Sequence, residues 1–282
     1  MPTSFQAAFL GVVQGLTEFL PVSSSAHLIL ARAFFGWDGE KFGLPFDVAI
    51  HLGTALAVIA YFWRDLLRIV AAVPRALRLA GLPGRSHGAN APDDEAARLV
   101  WLIGVGTIPA GIVGLTLDRY IEEHLRSPQV TAVTLTLGAI GFFIVERWGD
   151  QRRGEGTLSL MEAWWIGCAQ ALALVPGVSR SGATITAAML LGVRRPDAAR
   201  FIFLLGLPAI LAAAAKELPE LAATGFAPGD LALLSIGIAT AAAIGYLSIR
   251  FFVRYLARHS LDAFAWYRLA LAASVVVWLA LG

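Results

Sequence analysis

Two polar stretches in an otherwise apolar chain carry the side chains that phosphoryl chemistry needs. The first, Gln14 to His27, reads QGLTEFLPVSSSAH, and the second, Gln170 to Thr184, reads QALALVPGVSRSGAT. The first supplies a carboxylate (Glu18), three consecutive serines (Ser23, Ser24, Ser25) and an imidazole (His27). The second supplies a guanidinium (Arg180), the hydroxyls of Ser179, Ser181 and Thr184, and Gly182 in a turn that enters a helix. Backbone N–H groups at the positive end of such a helix favour an anion, phosphate above all. A guanidinium can hold two phosphate oxygens at once. Charge builds on those oxygens during transfer, so positioning and electrostatic stabilisation supply most of the catalysis. Hydrolysis also needs a nucleophile, and three remain open: His27, a serine activated by His27, or a water on a metal. Glu18 is the candidate metal ligand. With one strong carboxylate, a divalent cation there would keep several waters and lean on substrate oxygens, as Mg²⁺ commonly does.

Each residue also has a plainer reading. Ser23 or Ser24 is placed to cap a helix beginning near Ala26. Glu18 and Arg180 could simply pair with each other, and His27 could be a satisfied core histidine. Gln14 lies four residues before Glu18 and so shares its helix face. An ionisable residue at membrane depth costs roughly 2.5–3.5 kcal/mol on insertion scales, so such residues pair, or line a pathway or site.

The two stretches are related. At a shift of 156 residues, Gly11, Gln14, Leu16, Val22, Ser23 and Ser25 fall on Gly167, Gln170, Leu172, Val178, Ser179 and Ser181. Six identities at one offset, in the two most polar patches of the apolar segments, indicate an internal duplication that builds one site from two halves.

Composition says what must position these residues. The chain is 57% hydrophobic and only 15% charged, with a mean hydropathy of +0.69, whereas soluble domains have roughly 25% charged residues. This predicts an integral membrane protein. A formal charge of +2 is too small to argue for nucleic acid. The single cysteine, Cys168, excludes an intramolecular disulfide. No signal-peptide pattern precedes the first apolar segment, which is expected to stay in the protein.

Apolar segments lie near 4–20, 24–36, 46–63, 98–117, 129–147, 161–175, 180–192, 198–215, 230–250 and 262–281. Residues 24–36 and 180–192 are too short to cross about 30 Å of hydrocarbon, and each follows a polar break, the pattern of half a re-entrant hairpin. The expected fold is all-α, a single membrane domain (1–282) with repeats at about 1–150 and 157–282. Each repeat would hold five helical segments, giving about six transmembrane helices and two re-entrant hairpins. Three full crossings per half is an odd number, so the halves insert with opposite orientation and place the site between them. Basic residues agree: fifteen arginines fall on the links after segments three, five, seven and nine, against Lys41, Arg119, Arg126 and Lys216 on the others. The positive-inside bias then puts both termini outside. The longest link, about 72–96, has Pro74, Pro83, Gly84, Gly88 and Pro92 and is expected to be a flexible cytoplasmic loop.

At these residues the sequence resembles the bacterial undecaprenyl-diphosphatase family, the bacitracin-resistance type of membrane phosphatase. QGLTEFLPVSSSAH resembles that family's Glu/Gln-x-x-x-Glu motif with its following serines and histidine, and PGVSRSGAT its second motif. The likeness extends over FDVAIHLGTALAVIAYFWRDL (46–66), MLLGVRRPDAARFIFLLGLPAI (189–210) and WYRLALA (266–272). The resemblance implies removal of the terminal phosphate of undecaprenyl diphosphate, a membrane lipid, and recycling of the lipid carrier of peptidoglycan synthesis. It also implies a bacterial inner-membrane location, a divalent cation (Mg²⁺ or Ca²⁺) and a site opening to the periplasmic face; a homodimer is left open.

Carried over by motif position, Gln14 and Glu18 take the acidic-motif role, with Gln14 leaving one metal-binding carboxylate fewer. Ser24 and His27 flank the catalytic centre, with Ser23 and Ser25 beside them. Arg180, Ser179, Ser181, Gly182 and Thr184 bind the diphosphate. Where many members carry Glu before the third segment this chain has Asp47, with His51 nearby. The type 2 phosphatidic acid phosphatase pattern is excluded, since Ala188 stands where its lysine would precede Arg195-Pro196. Transport of a polyprenyl phosphate through the same midplane site is the alternative that inverted repeats permit.

Overall fold

The computed structural model describes residues 4–37, 42–78, 92–224 and 229–281. They form eleven α-helices and no strand: α1 (Ser4–Phe19), α2 (Ser24–Phe35), α3 (Leu44–Arg78), α4 (Pro92–Thr116), α5 (Asp118–Leu125), α6 (Pro128–Trp148), α7 (Leu160–Leu172), α8 (Arg180–Leu190), α9 (Arg195–Thr224), α10 (Asp230–Leu256) and α11 (Asp262–Leu281). Five helices are long and apolar enough to cross a membrane: Asp94–Thr116, Pro128–Trp148, Arg195–Lys216, Asp230–Leu256 and Asp262–Leu281. Large apolar side chains such as Leu115, Leu137, Leu172 and Leu247 face outward on them and their neighbours. Helices apolar on their outer faces as well as their inner ones belong in lipid, so this is a multi-pass membrane protein. The other expected crossing falls on α3, whose helical geometry breaks at Phe62 (φ −102°, ψ 21°).

The pairs α1–α2 and α7–α8 fall on the segments expected as hairpins, and their arms have 16, 12, 13 and 11 residues, each shorter than a bilayer's width. They dock in corresponding ways. α1 lies along α10, and α7 along α4, while α6 packs on α11 and α3 on α9. Gly11 and Gly167 permit the two close approaches. A Cβ on Gly11 would collide with the carbonyl of Gly237 and the hydroxyl of Thr240 on α10. One on Gly167 would collide with the carbonyl of Gly106 and with Pro109 on α4. Below the hairpin tips an aromatic core joins the halves: Phe203 of α9 meets Phe19 edge-on at 5.5 Å and Phe252 at 6.1 Å.

The expected flexible link 72–96 needs correction. Residues 72–78 continue α3 and 92–96 begin α4; the stretch 79–91, with Pro83, Gly84, Arg85 and Gly88, lies outside the described residues, as does Lys41. The extension forms because Ala72 and Ala76 are buried against Ala97. Trp101 Nε1 also donates to the Ala76 carbonyl at 3.1 Å, and Arg75 pairs with Asp94 at 2.5 Å. Helix propensity loses only one bond to Pro74, and tertiary packing holds the rest.

Candidate active site between the hairpin tips

Each hairpin turns on a strained serine. Ser23 (φ 73°, ψ 99°) and Ser179 (φ 72°, ψ 114°) are two of only three non-glycine residues with positive φ among those described. Such backbone costs on the order of 1–3 kcal/mol and gathers at functional sites. Each serine caps the helix that follows: Ser23 Oγ accepts from Ala26 N at 3.4 Å, and Ser179 Oγ from Gly182 N at 3.1 Å. The last serine of each loop then reaches across. Ser25 Oγ accepts from Gly177 N at 3.4 Å, and Ser181 Oγ donates to the carbonyls of Leu20 and Glu18 at 3.2 and 3.3 Å.

Glu18 stands at the junction, buried near the end of α1. One carboxylate oxygen pairs with Arg180 Nη2 of the other hairpin. The second accepts from Ser24 Oγ at 2.6 Å and from Gln14 Nε2 at 3.1 Å, and lies 3.4 Å from His51 Nε2. A buried carboxylate needs this many partners, because its desolvation is expensive unless it is both paired and hydrogen-bonded. His51 is set by α3: its Nδ1 donates to the Asp47 carbonyl at 2.7 Å. The Asp47 carboxylate in turn binds Arg32 and, at 2.6 Å, Arg126.

The predicted site residues thus divide. Gln14, Glu18, Ser24, Arg180 and Ser181 come together. Ser23, Ser25, Ser179 and Gly182 hold the loops, and Thr184 Oγ1 donates back to the Arg180 carbonyl at 2.6 Å, fixing the start of α8. His27 turns toward α11. Its Nδ1 donates to the Ser23 carbonyl at 2.7 Å, and its Nε2 lies 2.7 Å from the Tyr267 hydroxyl.

Sequence reasoning missed Arg268. Fully buried, it donates to the carbonyls of Pro21, Thr134, Leu135, Gly177 and Val178 at 3.0–3.2 Å. It therefore fastens both hairpin turns to α6 and α11. A signal for it existed: it is the one arginine in the apolar stretch DAFAWYRLALAASVVVWLAL, and a charge at such a position has a partner. His51 was noticed without a role, and only the fold shows that it faces Glu18.

For a divalent cation the donors are few. The described residues contain no group of three or more His, Cys, Asp or Glu side chains that could hold one. Gln14 Oε1, however, is a buried acceptor without a donor, one helical turn from Glu18. Two oxygen donors of this kind suit a hard cation that takes its remaining ligands from water and phosphate.

Comparison with known proteins decides the family. The model of the bacitracin resistance protein BacA family matches residues 7–274. The chain belongs to the BacA family. Its relatives include an undecaprenyl-diphosphatase of Rubrobacter xylanophilus, 46% identical over 276 residues (98% of each chain), and one of Geotalea daltonii, 45% identical over 279 residues (99% of each). A third, from Moorella thermoacetica, is 44% identical over 279 residues, 98% of this chain and 99% of its own. The match takes in both hairpin turns, α3 and α11 as far as residue 274, so every site residue placed above lies within the BacA-like region.

Proposed function

We propose that this BacA-family chain is an undecaprenyl-diphosphate phosphatase. It hydrolyses undecaprenyl diphosphate to undecaprenyl phosphate and inorganic phosphate at the junction of the two hairpins. The product is the lipid carrier reused in peptidoglycan synthesis. One observation carries the reading beyond the family: a buried carboxylate from one hairpin is paired with an arginine from the other, at the point where both backbones break.

Arg180 is the group that changes partner. A diphosphate is the stronger bidentate acceptor, so on binding it draws the guanidinium from Glu18. Ser179, Ser181, Gly182 and Thr184 hold the start of α8 beneath it, where the helix dipole favours the anion. Glu18 keeps Ser24 Oγ oriented with its lone pairs free, and Ser23 and Ser25 hold that loop in place. A water oxygen forms the new bond to the terminal phosphorus as the bond to the bridging oxygen breaks, and undecaprenyl phosphate leaves. The water's proton goes to His27, the base that the first hairpin supplies. Gln14 Oε1 and Glu18 would hold Mg²⁺ or Ca²⁺, which when bound neutralises charge on the phosphate oxygens.

We also place the chain in the bacterial inner membrane as an inverted repeat, both termini outside and the site open to the periplasmic face. The distribution of arginines and the matched docking of α1 on α10 and α7 on α4 support this. A homodimer is compatible with that arrangement.

Purified protein in detergent, given a prenyl diphosphate with Mg²⁺ or Ca²⁺, is expected to release phosphate. Glu18→Ala, His27→Ala and Arg180→Ala should each lose 10²-fold or more. Full release by all three would remove the site assignment. No release by the wild-type protein with either cation would favour lipid transport.

A further inference from the structure

His27 has no free nitrogen. The Ser23 carbonyl can only accept, so Nδ1 carries the proton of the neutral ring, and the basic lone pair sits on Nε2. That lone pair meets the Tyr267 hydroxyl at 2.7 Å. The two rings are parallel within 5°, with centroids 5.7 Å apart, so the short contact is held by ring packing as well as by the hydrogen bond. Tyr267 itself is 46% exposed, whereas His27 is half-buried behind it. Tyr267 is also the neighbour of Arg268, whose five carbonyl bonds fix this part of α11 against both hairpin turns.

We infer that Tyr267 is a further catalytic residue, a proton relay between the attacking water and His27. This rests on the reading of His27 as the base. The water's O–H gives its proton to Tyr267 Oη while the Tyr267 proton passes to His27 Nε2. Tyrosine ends neutral, His27 ends as imidazolium with Nδ1–H still on Ser23, and the hydroxide equivalent adds to phosphorus. The charged group beside the relay is Arg268 on α11.

Tyr267→Phe keeps the ring and removes only the hydroxyl. It is expected to lower kcat about 10–100-fold, within the span general acid–base contributions cover, and to leave KM within about twofold. The proton inventory in mixed H₂O and D₂O should fall from two protons in flight to one. A second readout needs no turnover. The chain has five histidines, so ¹⁵N-histidine spectra can be assigned for His27 with the His27→Gln variant. The wild type should show the Nδ1–H tautomer with its Nε2 resonance shifted by the Tyr267 hydrogen bond; Tyr267→Phe should keep the tautomer, which the Ser23 carbonyl sets, and lose that Nε2 shift. Wild-type kcat with an unchanged inventory in Tyr267→Phe overturns the relay. An Nε2 resonance unaltered by the substitution overturns the contact on which it rests. Wild-type turnover in His27→Gln instead sinks the assignment of His27 as base, and is a separate failure.

Discussion

The α1–α2 and α7–α8 hairpins share a backbone and oppose each other in charge. Both turn on a serine near φ 72°, both let a glycine meet a facing helix, and each sends its last serine to the other's backbone. At the shift of 156 residues, however, Glu18, Ser24 and His27 stand opposite Leu174, Arg180 and Ala183. The shared positions are those that hold the turns. The divergent ones put an acid, a hydroxyl and an imidazole on one side of the junction and a guanidinium on the other. The two turns share a frame, and the residues that differ between them make the candidate site asymmetric.

Giving the first hairpin the second one's residue breaks that asymmetry. Glu18→Leu leaves Arg180 without its carboxylate, and removing one partner of a buried pair costs about 3–5 kcal/mol. Phosphate release should fall by about 10³-fold or more, since the anchor of Ser24 goes as well. Adding Arg180→Ser, the residue at the matching place in the first loop, removes the stranded charge. The double variant should regain most of the stability in chemical denaturation and none of the activity. A double-mutant cycle should give a coupling above about 2 kcal/mol. Additive stability losses would show that the two hairpins are not joined through this pair.

The shared frame can be tested by the two glycines. Gly11→Ala drives a methyl into α10, and Gly167→Ala drives one into α4. Both methyls meet a backbone carbonyl, which cannot move aside cheaply, and the one on Gly11 meets the Thr240 hydroxyl as well. Each should cost about 1–3 kcal/mol, equal within about 1 kcal/mol. Gly104→Ala, where a Cβ meets nothing within 4 Å, should be neutral or slightly stabilising. Unequal costs at Gly11 and Gly167, measured by thermal unfolding in detergent, would mean that the hairpins dock differently.

The sequence was most legible where the information is local. Segment bounds follow from runs of apolar residues, and the breaks at Pro21 and Pro176-Gly177 mark the hairpin turns. The capping of α2 by Ser23 follows from its place before Ala26. What stayed hidden depends on distant partners. The bonds of Arg268 to Leu135 and Pro21 join residues 133 and 247 positions apart, and no spacing announces them. Asp47 and His51 lie one turn apart on a helix whose neighbours only the fold supplies. The glycines and prolines of the 72–96 link argued for a loop, yet Ala76 and Trp101 hold helix at both ends.

The smallest difference between the hairpins lies at their bases. The second is latched: Arg153 grips Glu162 at 2.6 and 3.1 Å and also donates to the Leu191 carbonyl at 2.9 Å, joining the start of α7 to the end of α8. Glu162 further accepts from Ser159 N, completing a capping box. The first turn of α1 has no acidic residue to do the same. The Arg153 hydrogen bonds hold the Glu162 carboxyl down at about 2. A carboxyl lowered in the folded state stabilises it above the unfolded value of about 4.3, and that contribution fades as pH falls through about 2. Both partners are partly solvated, so the effect is modest. Glu162→Gln should lower Tm by about 1–3 °C at neutral pH, and the gap from wild type should narrow below about pH 4. No gap at any pH would assign the stabilisation to the capping box alone, which an amide side chain can also complete.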